Sequence, residues 1–511
     1  MRIIRTCRDL GIETVAVFSD ADVDAMHVGA ADAAVRLGPA PAGESYLRGD
    51  AIIAAARATG AEAIHPGYGF LSERASFARA VGEAGLVFIG PSVETIVAIG
   101  DKLAARRTAA AHDVPVVPGT FEPAPVDRAD DIDAIVAAAV RIGFPLLVKA
   151  SAGGGGRGMR RVTSSDGLAA ALAAGSAEAR AAFGDGAVYL EREVRPARHI
   201  EVQLLGDAFG NVVALGERDC SIQRRHQKLV EESPAPGLTA DERGALHAMA
   251  VRAAQAANLG NAATAEFLFD TDRRFWFLEV NARLQVEHGI TELLTGLDLV
   301  AEQLWIASGA PLSDRVRVAA SLASTPTRHA LEVRLSAEDP ARAFAPGPGT
   351  IGTWVMPAGP DVRVDTAVRA HDRIPPDYDP MIAKIMTVGP DRSTTIARMR
   401  RALDEVQITG LQTTLPFARA LVHDDAFMGA EDLSTEWVDQ RWDGPAHRAA
   451  ASMTAARLAV AAISAGGPEP AAALHGPGAG TTRGPDQDSS LRTDGNWREA
   501  GRAAAIDRWP R

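Results

Sequence analysis

Short apolar runs punctuated by Gly, Asp and Pro set the rhythm of the amino-terminal part of the chain. Thr14-Val15-Ala16-Val17-Phe18 reads as a buried strand that ends at the loop Ser19-Asp20-Ala21-Asp22, and Ala61-Glu62-Ala63-Ile64-His65 repeats the pattern. Helical stretches alternate with these strands, which predicts an open α/β unit. Phe144-Pro145-Leu146-Leu147-Val148 is a further buried strand, ending in Lys149, and Ala187-Val188-Tyr189-Leu190-Glu191 is another. An Ala-rich helix is predicted between them, over 167–182. Ala265-Glu266-Phe267-Leu268-Phe269-Asp270, the polar turn Thr271-Asp272-Arg273-Arg274 and Phe275-Trp276-Phe277-Leu278 form a hairpin that places Glu266 and Glu279 on partner strands. From 279 to 287 the side chains of Glu279, Asn281, Arg283, Gln285 and Glu287 alternate with Val280, Ala282, Leu284 and Val286. In an extended segment this alternation gives one apolar and one polar face. Ile396-Ala397-Arg398-Met399-Arg400-Arg401-Ala402-Leu403 predicts a basic amphipathic helix, and from about 441 the composition shifts toward an Ala/Gly/Pro-rich linker.

The polar face of 279–287 lines up two carboxylates, two amides and a guanidinium, a set suited to anions and hard cations; the plainer alternative is a solvated edge strand. The hairpin favours chemistry. Glu266 and Glu279 repel unless a cation lies between them, and Mg²⁺ favours such a pair together with phosphate oxygens. A phosphate binder is present at Lys149-Ala150-Ser151-Ala152-Gly153-Gly154-Gly155-Gly156-Arg157-Gly158-Met159, where consecutive glycines let backbone amides approach a polyphosphate. No Gly-Lys-Ser/Thr follows, so this is not a Walker loop, and the spacing does not fit a dinucleotide fingerprint.

The 511 residues suffice for about three domains. Hydrophobic residues at 47% and charged residues at 23% are an ordinary globular balance, and a net charge of −12 argues against nucleic acid or an anionic membrane as the main partner. Cys7 and Cys220 are too few for a disulfide framework, and no signal peptide or long apolar run is visible, so a cytoplasmic location is expected. Cys220 is expected to be a buried structural thiol.

These motifs are joined by His65-Pro66-Gly67-Tyr68-Gly69-Phe70-Leu71-Ser72-Glu73, Phe88-Ile89-Gly90-Pro91, Gly100-Asp101-Lys102, Arg198-His199-Ile200-Glu201-Val202-Gln203 and Glu217-Arg218-Asp219-Cys220-Ser221-Ile222-Gln223-Arg224-Arg225-His226-Gln227-Lys228. With them the chain resembles biotin carboxylase, the ATP-grasp component of acetyl-CoA and propionyl-CoA carboxylases, across residues 1–440. Phe344-Ala345-Pro346-Gly347-Pro348-Gly349 and Tyr378-Asp379-Pro380-Met381-Ile382-Ala383-Lys384 extend the likeness. The resemblance implies an α/β (α+β multidomain) ATP-grasp fold. Its parts are an N-terminal open α/β biotin carboxylase domain over 1–100, an ATP-grasp domain over 101–300 with a mobile lid near 121–193, and a C-terminal biotin carboxylase domain over 301–440. A linker and a possible docking tail occupy 441–511; the tail, with Trp497 and Trp509 among arginines, reads equally as frayed.

It also implies roles. Lys102, Lys149, Gly153, Gly154, Gly155, Gly156, Met159, Glu191, Arg192, Val194, His199, Gln223 and His226 would bind ATP, with Glu191 and the backbone of 192–194 at the adenine. Glu266, Glu279 and Asn281 would hold Mg²⁺ (or Mn²⁺). Arg283, Gln285 and the Val286 amide would hold bicarbonate, Glu287 would remove its proton, and Lys228 would stabilise the phosphoryl charge. Tyr68, Gly69 and Arg334 would receive biotin, Arg334 stabilising its enolate; a salt bridge to Glu332 is the plainer reading of that arginine. Relatives pair as homodimers. Longer ones carry an Ala-Met-Lys-Met biotin acceptor that these 511 residues lack, so a separate biotin carboxyl carrier protein and a separate carboxyltransferase subunit are expected.

Three departures accompany the likeness. Family members begin with a strand and an Asn-Arg-Gly-Glu-Ile-Ala turn before the helix that opens here at Met1, so the first strand is apparently missing and a misplaced start codon is expected. Ala282 and Gly289 stand where most relatives have Thr and Pro, and Gly289 is expected to loosen the loop after His288. Two other functions remain open on sequence alone: another ATP-grasp ligase of carbamoyl-phosphate or purine-pathway type, and a non-catalytic nucleotide-binding regulatory subunit.

Overall fold

The computed structural model describes residues 1–124, 129–151 and 159–464. The glycine run at 153–156 and the tail from 465 onward lie outside the described residues.

The amino-terminal unit is built from parallel pairs. β1 (Val15–Ser19) lies beside β2 (Ala33–Gly38), and β3 (Ala63–Ile64) beside β4 (Val87–Phe88), with helices Met26–Ala30 and Ala75–Glu83 as the crossovers and Gly49–Thr59 linking the two pairs. The strand expected over 61–65 shortens to two residues because its partner β4 offers only two. The first helix, Arg2–Asp9, is tied down by charge: the Arg2 guanidinium reaches Glu292 at 2.6 Å and Asp298 at 2.7 Å.

The lid segment contains a three-stranded antiparallel sheet of β5 (Leu146–Ala150), β6 (Arg160–Val162) and β7 (Val188–Arg192), ordered β6-β5-β7. The sequence reading found β5 and β7 but missed β6, whose residues Arg160, Arg161 and Val162 carry only one large apolar side chain. Helices Ala129–Ile142 and Leu168–Phe183 accompany this sheet. Leu146, Val148, Leu168, Leu172, Val188 and Leu190 form its own apolar core.

The centre is one antiparallel sheet of eight strands. After β8 (Ala197–Gly206), β9 (Val212–Arg224), β10 (Gln227–Ser233), β11 (Asn261–Asp270), β12 (Phe275–Asn281) and β13 (His329–Ser336) come β14 (Val362–Thr366) and β15 (Met381–Gly389). Their order across the sheet is β12-β11-β8-β9-β10-β13-β15-β14. Alternation sorts each strand into two faces. Ile200, Val202 and Leu204 of β8 join Ala263, Ala265, Phe267 and Phe269 of β11 in a core covered by Leu246, Met249 and Ala250 of helix Ala240–Ala256. That helix starts at a capping box between Thr239 and Glu242, which satisfies its first amides. Glu201, Gln203, Thr264 and Glu266 take the intervening positions. On β13 and β15, Leu331, Val333, Leu335 and Ile385 pack with Ile396, Met399 and Leu403 of helix Arg392–Glu405, which leaves Glu332, Arg334, Lys384 and Met386 at the alternate positions.

The linker expected from 441 is not one over its first part: Gly444–Ser464 is a helix. Alanine is the strongest helix former, so an Ala-rich stretch needs few large apolar residues to be helical. Ala451 packs on Ala341 and Trp442, and the Trp442 and His447 rings stack with centroids 4.5 Å apart.

Where β10 meets helix Arg392–Glu405, buried Glu232 lies 2.9 Å from His329 Nε2 and 2.6 Å from Arg392 Nε. Burial opposes its charge, but His329 and Arg392 outweigh burial and bring its pKa down to about 2 from 4.5. A carboxylate depressed in the folded state adds stability that is complete above its ordinary pKa and is lost as pH falls through the folded one. The difference in thermal stability between wild type and Glu232→Gln is therefore expected to narrow as pH is lowered from 4.5 to 2 in differential scanning calorimetry.

Candidate functional site

The polar face of the central sheet converges on the ammonium of Lys228, near the start of β10. Its Nζ lies 2.6 Å from Glu287 and 3.0 Å from Glu266, and it also pairs with Glu201. Burial works against this cation, but the three carboxylates hold it well above the ordinary lysine value. The same contacts act in reverse on the acids. Against burial, Lys228 and His199 keep Glu266 far below the usual carboxylate range. Lys228, Arg334 and Arg218 do so for Glu287.

Around this hub the predicted residues fall into groups. His199, on β8, has Nε2 3.0 Å from Glu266 and Nδ1 3.5 Å from Gln223. His226 occupies the β9–β10 turn, where Arg225 and His226 both have positive φ; burial and the charges of Lys149, His199 and Lys102 lower its pKa. Glu266 and Glu279 are directly opposed on β11 and β12, as the hairpin pattern predicts. Asn281 donates to Glu266 at 3.0 Å, and Lys102 lies 2.9 Å from Glu279. Two opposed carboxylates with an adjacent amide, each carboxylate already drawing a lysine, are a donor set that fits a hard divalent cation. Among the described residues, potential donor atoms of His199, Glu201 and Glu266, and likewise those of Glu201, Cys220 and Glu287, gather within 4.8 Å of one another.

At the lid, Lys149 and Glu191 pair across β5 and β7, and Glu191 also takes Arg106 Nη1 at 2.6 Å in a nearly solvent-free ion pair. Its carboxylate is thus committed to two cations, and the adenine reading is left to the backbone. There the Arg192 N–H already donates to Pro118 and the Glu193 N–H to Pro145. Val194 follows the strand, and the Arg192 guanidinium lies over the Trp276 ring at 5.6 Å. Met159 directly precedes β6 and is half-buried.

One expectation fails in its geometry. The alternating segment is not a single strand: β12 ends at Asn281, the chain turns through 282–287, and Glu287 is the N-cap of helix His288–Thr295. Ala282 and Leu284 are buried as alternation requires, but so are Gln285 and Glu287, because the turn carries these polar groups inward, Glu287 onto Lys228 and Arg334. Gln285 Nε2 is buried without a partner among the described residues, as a group reserved for a ligand would be. Arg283 instead points toward the amino-terminal unit, 2.9 Å from Glu73, whose carboxylate also accepts from the Ala282 N–H. Glu73 of the His65–Glu73 motif is thus a member of the site that sequence reading passed over.

Arg334 is not bridged to Glu332. It lies 2.6 Å from Glu231 and 2.9 Å from Glu287, while Glu332, one position along the same face, is wholly buried with neither oxygen hydrogen-bonded among the described residues. Burial and the neighbouring acids Glu332 and Glu287 raise Glu231, with Arg334 opposing, to about 8. Tyr68 and Gly69 lie on a loop with positive φ at Gly67, Gly69 and Phe70, and Phe70 stacks on Tyr46 at 5.5 Å. Tyr68 is partly exposed and near enough to Lys384 and Arg334 to feel their charge. Sequence reading also missed Arg218, fully buried on β9, whose guanidinium donates to Glu201 at 2.6 Å, Gln203 at 2.8 Å and Thr291 at 2.9 Å. Its signal was its place in Glu217-Arg218-Asp219, but only the register, which sets Arg218 opposite Glu201, assigns it to this face. Cys220 is a buried thiol, pushed well up by burial, then by Glu201.

Three family models match in order: "Biotin carboxylase, N-terminal domain" over 1–96, "Carbamoyl-phosphate synthase L chain, ATP binding domain" over 101–315 and "Biotin carboxylase C-terminal domain" over 332–440. The biotin carboxylase of Haemophilus influenzae is 46% identical over 430 residues, 84% of this chain and 93% of that one. A crystal structure of a biotin carboxylase–β,γ-ATP complex from Campylobacter jejuni aligns with TM-score 0.81 at 40% identity, covering 86% of this chain and 96% of that one. The biotin carboxylase domain dimer of the Hydrogenobacter thermophilus 2-oxoglutarate carboxylase, in complex with MgADP, ADP and bicarbonate, aligns with TM-score 0.80 at 39% identity, covering 86% and 94%. The fold and site are of the ATP-grasp ligase class, and within it the chain belongs to the biotin carboxylase family. The carbamoyl-phosphate synthase match covers the central ATP-binding region alone, and the flanking models are those of biotin carboxylase, so the other ATP-grasp reading is not favoured. Among the described residues no helix is long and apolar enough to cross a membrane.

Gly289 does not lie in a loop. It is buried in the first turn of helix His288–Thr295, and a Cβ there would come within 2.5 Å of Met386 Sδ. Gly289→Ala is expected to destabilise the protein by about 1–3 kcal/mol through overpacking. In a double-mutant cycle with Met386→Ala, followed by denaturant unfolding, the pair should cost less than the sum of the single changes.

Proposed function

We propose that this chain carboxylates biotin on a separate carrier protein, using ATP and bicarbonate, as a subunit of an acyl-CoA carboxylase whose carboxyltransferase is another chain, and that it works as a homodimer. The observation that carries this reading is the Lys228 hub, which joins Glu266 on the nucleotide side to Glu287, and through Glu287 to Arg334 on the biotin side.

Mg²⁺ (or Mn²⁺), held by Glu266 and Glu279 with Asn281 beside them, supplies Lewis-acid neutralisation of the phosphate charge. Lys102, Lys149, His199, Gln223 and His226 bind the nucleotide, with Met159 at the edge of the glycine segment. Arg283, the Gln285 amide and the Val286 N–H hold bicarbonate. Glu287 is kept ionised and so is ready to take a proton. Its two cations also make it a weak base until Lys228 turns to the phosphoryl oxygens, and losing that one cation raises its basicity when the bicarbonate proton must move. Bicarbonate, deprotonated by Glu287, attacks the γ-phosphorus and ADP leaves; the carboxyphosphate formed breaks down to CO₂ and phosphate, the phosphate takes the ring N–H proton of biotin, and the resulting enolate attacks CO₂ through that nitrogen to give carboxybiotin. Lys228 stabilises the anion of the first step and Arg334 that of the second.

Bicarbonate-dependent ADP release by the purified protein is expected to rise on addition of free biotin. Glu287→Gln should abolish that rise and lower turnover about 10²–10⁴-fold while nucleotide binding persists, as measured by a coupled assay and by calorimetry. Wild-type turnover indifferent to biotin would move the reading to a different carboxyl acceptor.

A further inference from the structure

Lys384 has no role in the chemistry above, yet its ammonium is aimed at the site. It lies on β15 and is nearly solvent-free, 4% exposed. Register sets it directly opposite Arg334 on β13 and Asp365 on β14. Two cations side by side on neighbouring strands repel, so the arrangement has to be offset by what each one grips. Arg334 grips the Glu287 carboxylate. Lys384 Nζ donates to the backbone carbonyl of Val286, the residue just before it. Its nearest carboxylates, Glu332 and Asp365, are each 3.7 Å away, so the Val286 carbonyl is its hydrogen-bonded partner and the two acids supply balancing charge.

The carbonyl of Val286 and the N–H of Glu287 share one rigid peptide plane. Fixing that carbonyl fixes the plane from which the Glu287 side chain departs, at a residue that no strand ladder holds, because β12 has ended at Asn281. The two cations therefore hold the same two residues from opposite ends, one by the side chain and the other by the main chain.

We propose that Lys384 is a positioning residue that orients Glu287 and the bicarbonate-binding turn by clamping the 286–287 peptide through the Val286 carbonyl. This rests on Glu287 being the base. When Arg334 leaves Glu287 for the biotin enolate, the Lys384 contact is what keeps the turn in place, because it does not involve the carboxylate.

The test compares Lys384→Met, Lys384→Arg and Glu287→Gln in the full-length enzyme. Lys384→Met is expected to raise the bicarbonate KM and lower biotin-dependent kcat, each by about tenfold or more, since an ångström-scale misplacement of a catalytic group carries costs of that order. The ATP KM should stay within about twofold, because the Lys102, Lys149 and His199 contacts are untouched. Lys384→Arg, which still donates to a carbonyl, is expected to recover part of the loss. If Lys384→Met does not fold, Lys384→Gln carries the same expectation: it is polar enough for the site but one atom too short to reach Val286. A folded Met or Gln variant with wild-type bicarbonate KM and kcat overturns the inference, as does a loss spread equally over ATP and bicarbonate. If Glu287→Gln is itself fully active, the reading beneath the inference fails instead, and the two failures are told apart by that single variant.

Discussion

Everything at the site depends on one buried ammonium shared among three carboxylates. Glu201, Glu266 and Glu287 come from β8, β11 and a helix N-terminus, and in a space closed to water they cannot all be ionised unless a cation stands between them. Lys228 is that cation, and it reaches them from β10 across the intervening strand β9. At Cys220, β9 presents a small side chain with its sulfur within 4.8 Å of the Glu201 and Glu287 carboxylates, which leaves the lysine room to pass. Arg218 and Arg334 complete the neutralisation from below and beside. The cluster is therefore charge-balanced before any substrate arrives, and substrate anions enter by exchanging partners with groups that already hold opposite charges.

How much of this was legible depended on whether a strand carried the information. Where it did, period-two alternation was enough. The hairpin pairing Glu266 with Glu279 was read directly, because a short polar turn between two apolar runs leaves little freedom of register. Glu287 was read as part of the site, but for the wrong geometric reason. Alternation persists through 282–287 although the backbone turns, since Ala282 and Leu284 are buried by the surrounding core whether or not the chain is extended. Composition misled in a similar way after 441, where a paucity of large side chains suggested a linker and the alanines made a helix.

What the sequence could not supply was the identity of partners across strands distant in the chain. Glu73 meets Arg283 from 210 positions away, and Arg106 meets Glu191 from 85. Arg334 has an acid two residues before it and turns instead to Glu231 on the next strand. Such choices are fixed by register and by which oxygens lack another donor, and neither is a property of a local segment. The family likeness names the residues; the sheet decides which of them touch.

The central sheet runs without a break from the hairpin strand β12 through β13 to β14, so the parts of the site proposed for nucleotide and for biotin are joined by backbone hydrogen bonds rather than by a seam. A continuous ladder has no slip plane. On the function proposed, the two halves would keep a fixed spacing through turnover, as two jaws cast in one piece do, and opening for entry and exit would fall to the segment of β5, β6 and β7, which has an apolar core of its own.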